Sequence, residues 1–362
     1  MNLKHLFIAL ALCASAAAQE KVSGGPYVVN ATGRSATIGW LVETSQARLG
    51  TDPEKLDRTS PVLRSKKVSF TGLPQGALVH YDVLNGRPEG KGYFRTPPAA
   101  GTEATFEAMI FGDTRTRHDL HRKVIEAILK YSDPHLVIHT GDLVADGVDT
   151  AQWPLFFEIE RELLKRAAFY PVLGNHERGN YKFYDFFEVR SPYYSFDWGQ
   201  VHFTILNTDI GNVAISTAEK EKFWDEQRRW LIEDLRGAQK AQFRVVVMHH
   251  PPFTAVARRQ TGGGNIWART LIPIFEQNKV QLVFNGHDHN YQRHEFGGIH
   301  YVVTGGGGAP LYPVDGPMAG ITKKVVATEH FVRLLVSPGL ARVQAVGLDG
   351  TVLDSFEVAA KP

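Results

Sequence analysis

Phe106-Glu107-Ala108-Met109-Ile110-Phe111-Gly112-Asp113 is a largely apolar run that stops at Gly-Asp, and Leu136-Val137-Ile138-His139-Thr140-Gly141-Asp142 repeats that form. Between the two, Leu120, Val124, Ile128 and Tyr131 fall at helical spacing, and Ile125 and Leu129 widen the same face. Strand, helix and strand in this order make a βαβ unit with parallel strands. Open α/β sheets bind ligands beyond the C-terminal ends of such strands, and both aspartates stand there.

Outward from this unit the same rhythm continues. Strands are expected at 168–172, 194–197, 201–207, 243–248, 280–284 and 300–303, and residues 331–336, 341–346 and 352–358 read as an antiparallel meander turned at Pro338-Gly339 and Asp349-Gly350. Residues 104–360 are therefore α/β, with mixed β-sheets flanked by helices. Upstream, 25–98 carries short alternating segments such as Ala36, Ile38, Trp40 and Val42, separated by Gly, Pro and Asn turns, which predicts a small all-β sandwich. Pro97-Pro98-Ala99-Ala100-Gly101 is a linker by composition, and the boundary is placed there.

The first eighteen residues have Lys4 near the start, an apolar run from Leu6 to Leu12, and Ala16-Ala17-Ala18 before Gln19. This is the pattern of a secretory signal peptide cleaved after Ala18, too short for the ~20 residues of a membrane span. A secreted or periplasmic mature chain without a membrane span is expected. Cys13, the single cysteine, lies in that leader, so the mature chain lacks thiol nucleophiles, disulfides and cysteine metal sites. With 40 Lys and Arg against 38 Asp and Glu over 362 residues, the formal net charge of +2 argues against a partner held by phosphate-backbone electrostatics. No nucleic-acid-binding motif is present.

Five expected strands end in polar clusters: Gly112-Asp113, Gly141-Asp142, Gly174-Asn175-His176-Glu177, His249-His250-Pro251-Pro252 and Gly286-His287-Asp288-His289. A glycine at such a point lets the chain turn sharply and aim the next side chain into a shared crevice. The donor set is oxygen and imidazole without sulfur, which suits Zn, Fe, Mn or similar ions. Two cations ~3.5–4 Å apart need an anionic bridge between them, and Asp142 is the candidate.

These motifs, in this order, resemble the calcineurin-like metallophosphoesterase superfamily. Tyr193-Tyr194-Ser195-Phe196-Asp197-Trp198-Gly199, Gly286 to Arg293 and Val303 to Pro310 look like its purple acid phosphatase branch, and Phe70 to Gly76, Tyr81 and Phe94 to Pro98 resemble a fibronectin type III domain in front. The resemblance implies a metallophosphoesterase-like β-sandwich core and two metal ions, Fe, Zn or Mn. One would be held by Asp113, Asp142 and His289, the other by Asp142, Asn175, His249 and His287. His176 would act outside the metal shell, holding phosphate or protonating the leaving group, while a metal-activated hydroxide attacks phosphorus.

One departure carries chemistry. The purple branch has a tyrosine three residues after the bridging aspartate, where it binds Fe(III); here Ala145 stands there, and Arg115 stands where other members place an extra histidine. A divalent, colourless pair is expected. Arg115 and His250 are candidate substrate-binding residues, Arg117 a further phosphate clamp, and His118 and His121 candidates to complete the first metal site. His139 reads as a core histidine. Residues 254–265 are a candidate lid, and Gly305 to Gly308 either an anion-binding turn or a tight packing turn. The expected function is a phosphatase acting on phosphate monoesters of phosphorylated small molecules. Phosphodiester or nucleotide cleavage at the same site, and a non-catalytic binding or adhesion protein on this fold, are the alternatives.

Overall fold

The computed structural model describes residues 20–213, 215–261 and 264–360; the expected signal peptide and Cys13 lie outside them. Two large sheets face each other. The first has nine strands in the order Val352–Ala359, Leu340–Gly347, His330–Ser337, Phe106–Phe111, Leu136–His139, Ala168–Pro171, Lys21–Val29, Ser35–Leu49 and Arg58–Thr71. The second has seven: Thr322–Val326, Tyr291–Phe296, Ile299–Thr304, Leu282–Asn285, Phe243–Met248, Val201–Leu206 and Tyr194–Trp198.

The alternation along Phe106–Phe111 shows how the layers are built. Ala108 and Ile110 point between the sheets, where they share a core with Val245, Val247, Phe284 and Val302 of the second sheet. Met109 and Phe111 point the other way and pack with Val124 and Ile128 of helix His118–Tyr131 and with Trp153 and Phe156 of helix Gln152–Leu164. On the far side, Leu231 and Leu235 of helix Thr217–Gly237 pack on Leu206, Val246 and Met248. The result is helix, sheet, sheet, helix, the mixed α/β architecture expected from the sequence.

The all-β unit in front is present, but its connection differs from a free-standing sandwich. Its three long strands continue the nine-stranded sheet through Val28, which pairs with Ala168, and only Leu78–Asp82 and Lys91–Arg95 form a separate hairpin, packed on the same core through Val79, Tyr81 and Phe94. Strand Ala168–Pro171 would otherwise leave an unpaired edge. Tyr27 stacks on Phe157 at 4.7 Å and donates its hydroxyl to the Phe186 carbonyl. The proposed division into 25–98 and 104–360 thus describes the order of the chain, while the sheet runs across it.

One ion-pair network, largely buried at His202 and Asp234 and exposed at Asp197, ties the edge of the second sheet to helix Thr217–Gly237. His202 bonds Asp197 at 2.8 Å and Asp234 at 3.0 Å. Burial lowers its pKa, but the two carboxylates outweigh that and raise it to about 9. A histidine with a raised folded pKa adds stability that is complete below its unfolded value near 6.5 and is lost as pH rises through the folded one. Unfolding free energy is therefore expected to fall by at most roughly 3 kcal/mol between pH 6.5 and 9.5, and His202→Phe to flatten that slope in denaturant titrations.

Candidate metal centre

Three strand ends of the first sheet and two of the second meet at one point. Asp113, Asp142 and the pair Asn175 and His176 follow strands Phe106–Phe111, Leu136–His139 and Ala168–Pro171; His249 follows Phe243–Met248, and His287 and His289 follow Leu282–Asn285. Of the glycines before them, Gly141 (φ 101°) makes the sharp turn expected, and the other three do a different job. Gly112, Gly174 and Gly286 are not left-handed, whereas Asp113 (φ 61°), Asp142 (φ 58°) and His287 (φ 68°) are. Strain of this kind, about 1–3 kcal/mol per residue, concentrates at functional sites. The glycines make room: a Cβ on Gly174 would lie 2.2 Å from Asp142 Oδ1, and one on Gly286 2.6 Å from Asp113 Oδ2.

The polar atoms converge. His289 Nε2 is 3.3 Å from Asp113 Oδ1, and His249 Nε2 is 3.4 Å from Asp142 Oδ1, 3.2 Å from Asn175 Oδ1 and 3.2 Å from His287 Nδ1. Carbonyl oxygens only accept, so His249 Nδ1, 2.8 Å from the Thr140 carbonyl, and His289 Nδ1, 2.7 Å from that of Pro310, are the protonated nitrogens. Their Nε2 lone pairs then face the centre, the arrangement that outer hydrogen bonds impose on metal-binding histidines. Asp142 is nearly fully buried, and its Oδ1 also accepts the His176 backbone N–H at 3.0 Å.

These residues fit a pair of cations. Asp113 Oδ1 is buried without a hydrogen-bond partner among the described residues, an orphan that a cation would satisfy. Asp113, Asp142 and His249 form one group whose ligand atoms lie within 4.8 Å of one another, and His249, His250 and His287 form a second. Burial first of all, with the nearby Arg259 guanidinium, holds His250 and His287 well below the usual imidazole range, so both are neutral lone-pair donors.

Glu177 is the functional residue that sequence reasoning passed over. Fully buried, its carboxylate accepts backbone N–H groups from Asp142 (3.0 Å), Leu143 (2.8 Å) and Gly174 (2.8 Å), clamping two ligand loops together. Burial and the Asp142 charge raise its pKa to about 8; a cation against Asp142 opposes that charge and favours the ionised clamp. The only sequence signal was its place after Gly174-Asn175-His176.

The remaining candidates separate cleanly. Arg115 lies beside Asp142, its Nε 3.5 Å from Oδ2, and is mostly buried. Arg117 faces elsewhere, bonding the Gly308 carbonyl at 2.8 Å and Glu329 at 3.1 Å, so it anchors a loop rather than clamping phosphate. His121 is spent on buried Glu160 at 2.8 Å and does not complete the first metal site. His250, expected at the substrate, is buried against Thr208 (3.0 Å) with its ring 4.2 Å from that of His287. His139 is a buried core histidine, 3.1 Å from Thr114 Oγ1. In the candidate lid, Arg259 is anchored to the His287 carbonyl (2.8 Å) and Asp288 (3.0 Å). The Gly305–308 turn packs tightly: a Cβ on Gly307 would lie 2.3 Å from the Gly112 carbonyl oxygen.

Strand ends of two facing sheets thus gather carboxylate, amide and imidazole side chains at one point, a donor set without sulfur. The profile of the calcineurin-like phosphoesterase family matches residues 107–291, just over half of the chain, and the chain belongs to that family. Among curated relatives, purple acid phosphatase 21 of Arabidopsis thaliana is 24% identical over 69% of this chain and 60% of its own length, and phosphoenolpyruvate phosphatase of Allium cepa is 25% identical over 83% and 68%. The chain spans 60% or less of the lengths of the first few such relatives. The purple acid phosphatase PPD1 of yellow lupin superposes with a TM-score of 0.71 at 17% identity, over 92% of this chain and 74% of its own. The chain is thus similar to several purple acid phosphatases.

Proposed function

We propose that the chain is a secreted, dinuclear metal-dependent phosphatase that hydrolyses phosphate monoesters. The observation that supports this reading is that buried Asp142 lies within 4.8 Å of ligand atoms of both Asp113 and His249, with His289 beside Asp113 and with Asn175 and His287 beside His249. Two divalent ions bound there supply Lewis acidity and lower the pKa of water. No helix among the described residues is long and apolar enough to cross a membrane.

The chain's own residues divide the work. Asp113, Asp142, Asn175, His249, His287 and His289 hold the ions. Arg115 offers a guanidinium to non-bridging phosphoryl oxygens, its buried Nε having no hydrogen-bond partner among the described residues. The His176 side chain, 30% exposed, has Nδ1 2.7 Å from the Ala145 carbonyl and Nε2 3.8 Å from Asp142 Oδ2. With Nδ1–H fixed on that carbonyl, Nε2 is the nitrogen that carries a proton to the departing alkoxide. His176→Ala should therefore cost alkyl phosphates on the order of 10²-fold or more in kcat, but aryl phosphates, whose leaving groups need little protonation, much less. Equal losses for both classes would remove His176 from the acid role.

Ala145 supplies a backbone carbonyl where the purple branch supplies a phenolate, so the first site lacks an anion that favours a trivalent ion. The metal-loaded protein is expected to show no phenolate-to-iron absorption band in the visible; such a band would contradict a divalent pair.

A further inference from the structure

Beside Asn175 lies a cavity of about 190 Å³ lined by Tyr184, Pro192, Asn207, Asp209, Asn212 and Phe223, among others. None of the candidate metal ligands is among its described lining residues. It is joined to the centre by one side chain: Asn212 Nδ2 lies 3.3 Å from the Asn175 carbonyl and bonds Asp209 at 2.9 Å and 3.1 Å. On its other flank, Asp209 follows Thr208, whose hydroxyl bonds the His250 backbone N–H at 2.9 Å. At about 30 Å³ per water, the space holds roughly six waters, the size of a small alcohol's carbon skeleton and head group.

The chemistry of the wall is one-sided. Asp209 is only 5% exposed, and a carboxylate offers about four lone-pair sites, of which Asn212 takes two. Tyr184 and Phe223 add aromatic faces, which attract cations. No Lys, Arg or His is among the described lining residues. Such a wall favours a positive group and repels a carboxylate.

Resting on the phosphatase reading, we infer that this cavity receives the leaving group and that Asp209 selects phosphate monoesters of amino alcohols, whose ammonium it pairs, over neutral or carboxylate-bearing esters. Asp209 is then a specificity-determining residue. Its anchoring by Asn212 orients the carboxylate before substrate arrives, so less ordering is needed on binding.

The test compares kcat/KM of the metal-loaded enzyme for phosphocholine and for 3,3-dimethylbutyl phosphate, its uncharged isostere, alongside 4-nitrophenyl phosphate. The wild type should prefer phosphocholine by tenfold or more, and Asp209→Asn should abolish most of that preference. Tyr184→Leu should weaken it partially. Equal turnover of charged and uncharged esters by the wild type, or a preference unchanged in Asp209→Asn, would overturn the inference. Choline binding, followed by calorimetry, separates this from the chemistry. Choline bound by the wild type and not by Asp209→Asn supports the cavity's role even where 4-nitrophenyl phosphate is not hydrolysed, a result that would instead count against the phosphatase reading. No choline binding to a protein that hydrolyses 4-nitrophenyl phosphate overturns the inference alone.

Discussion

Asp142→Asn is expected to lower phosphomonoester turnover on the order of 10³-fold and to leave fewer than two ions per chain. The amide keeps the shape of the carboxylate but removes the charge that two neighbouring cations require between them, and at ~4 Å that repulsion is severe in a site shielded from water. Asp142 is nearly fully buried and lies within reach of His249 (3.4 Å), His176 (3.8 Å) and Arg115 (3.5 Å). Elemental analysis beside steady-state kinetics reads both effects. Full activity with two ions retained would show that the bridge lies elsewhere.

The second large effect concerns stability. Glu177→Ala strands the backbone N–H groups of Asp142, Leu143 and Gly174 in the interior, and each buried, unmade donor costs about 1–3 kcal/mol. Partial relaxation leaves an expected loss of about 3–5 kcal/mol in unfolding free energy, measured by denaturant titration of the cation-free protein. The loops it clamps carry Asp142 and Asn175, so metal affinity should fall as well. A variant within 1 kcal/mol of wild type would mean that the clamp is replaced by solvent at little cost.

The β-strands that bear ligands were legible because each is a short apolar run broken by glycine and a polar ligand. Strand Tyr291–Phe296 was not, since Gln292, Arg293, His294 and Glu295 break the apolar signal and are accommodated by partners: His294 by Gln292 and Thr322, Arg293 by Asp354. The join of the N-terminal strands to the main sheet was hidden for a related reason. Alternation reveals which face of a strand is buried, not which strand lies beside it. In the site, the ligand types were readable from the motifs, whereas the left-handed backbone of Asp113, Asp142 and His287, and the clamp of Glu177, depend on contacts between loops distant in sequence. Likewise Arg115 and Arg117 look alike two residues apart, and only the fold sends one toward Asp142 and the other to Gly308 and Glu329.

The most direct test is turnover of 4-nitrophenyl phosphate and bis(4-nitrophenyl) phosphate by protein whose metal content is counted while divalent ions are titrated into the cation-free chain. Two ions bound per chain, with monoester turnover rising in step with the second, is the predicted result. Binding of one ion or none without turnover, or turnover of the diester alone, would contradict a dinuclear phosphomonoesterase.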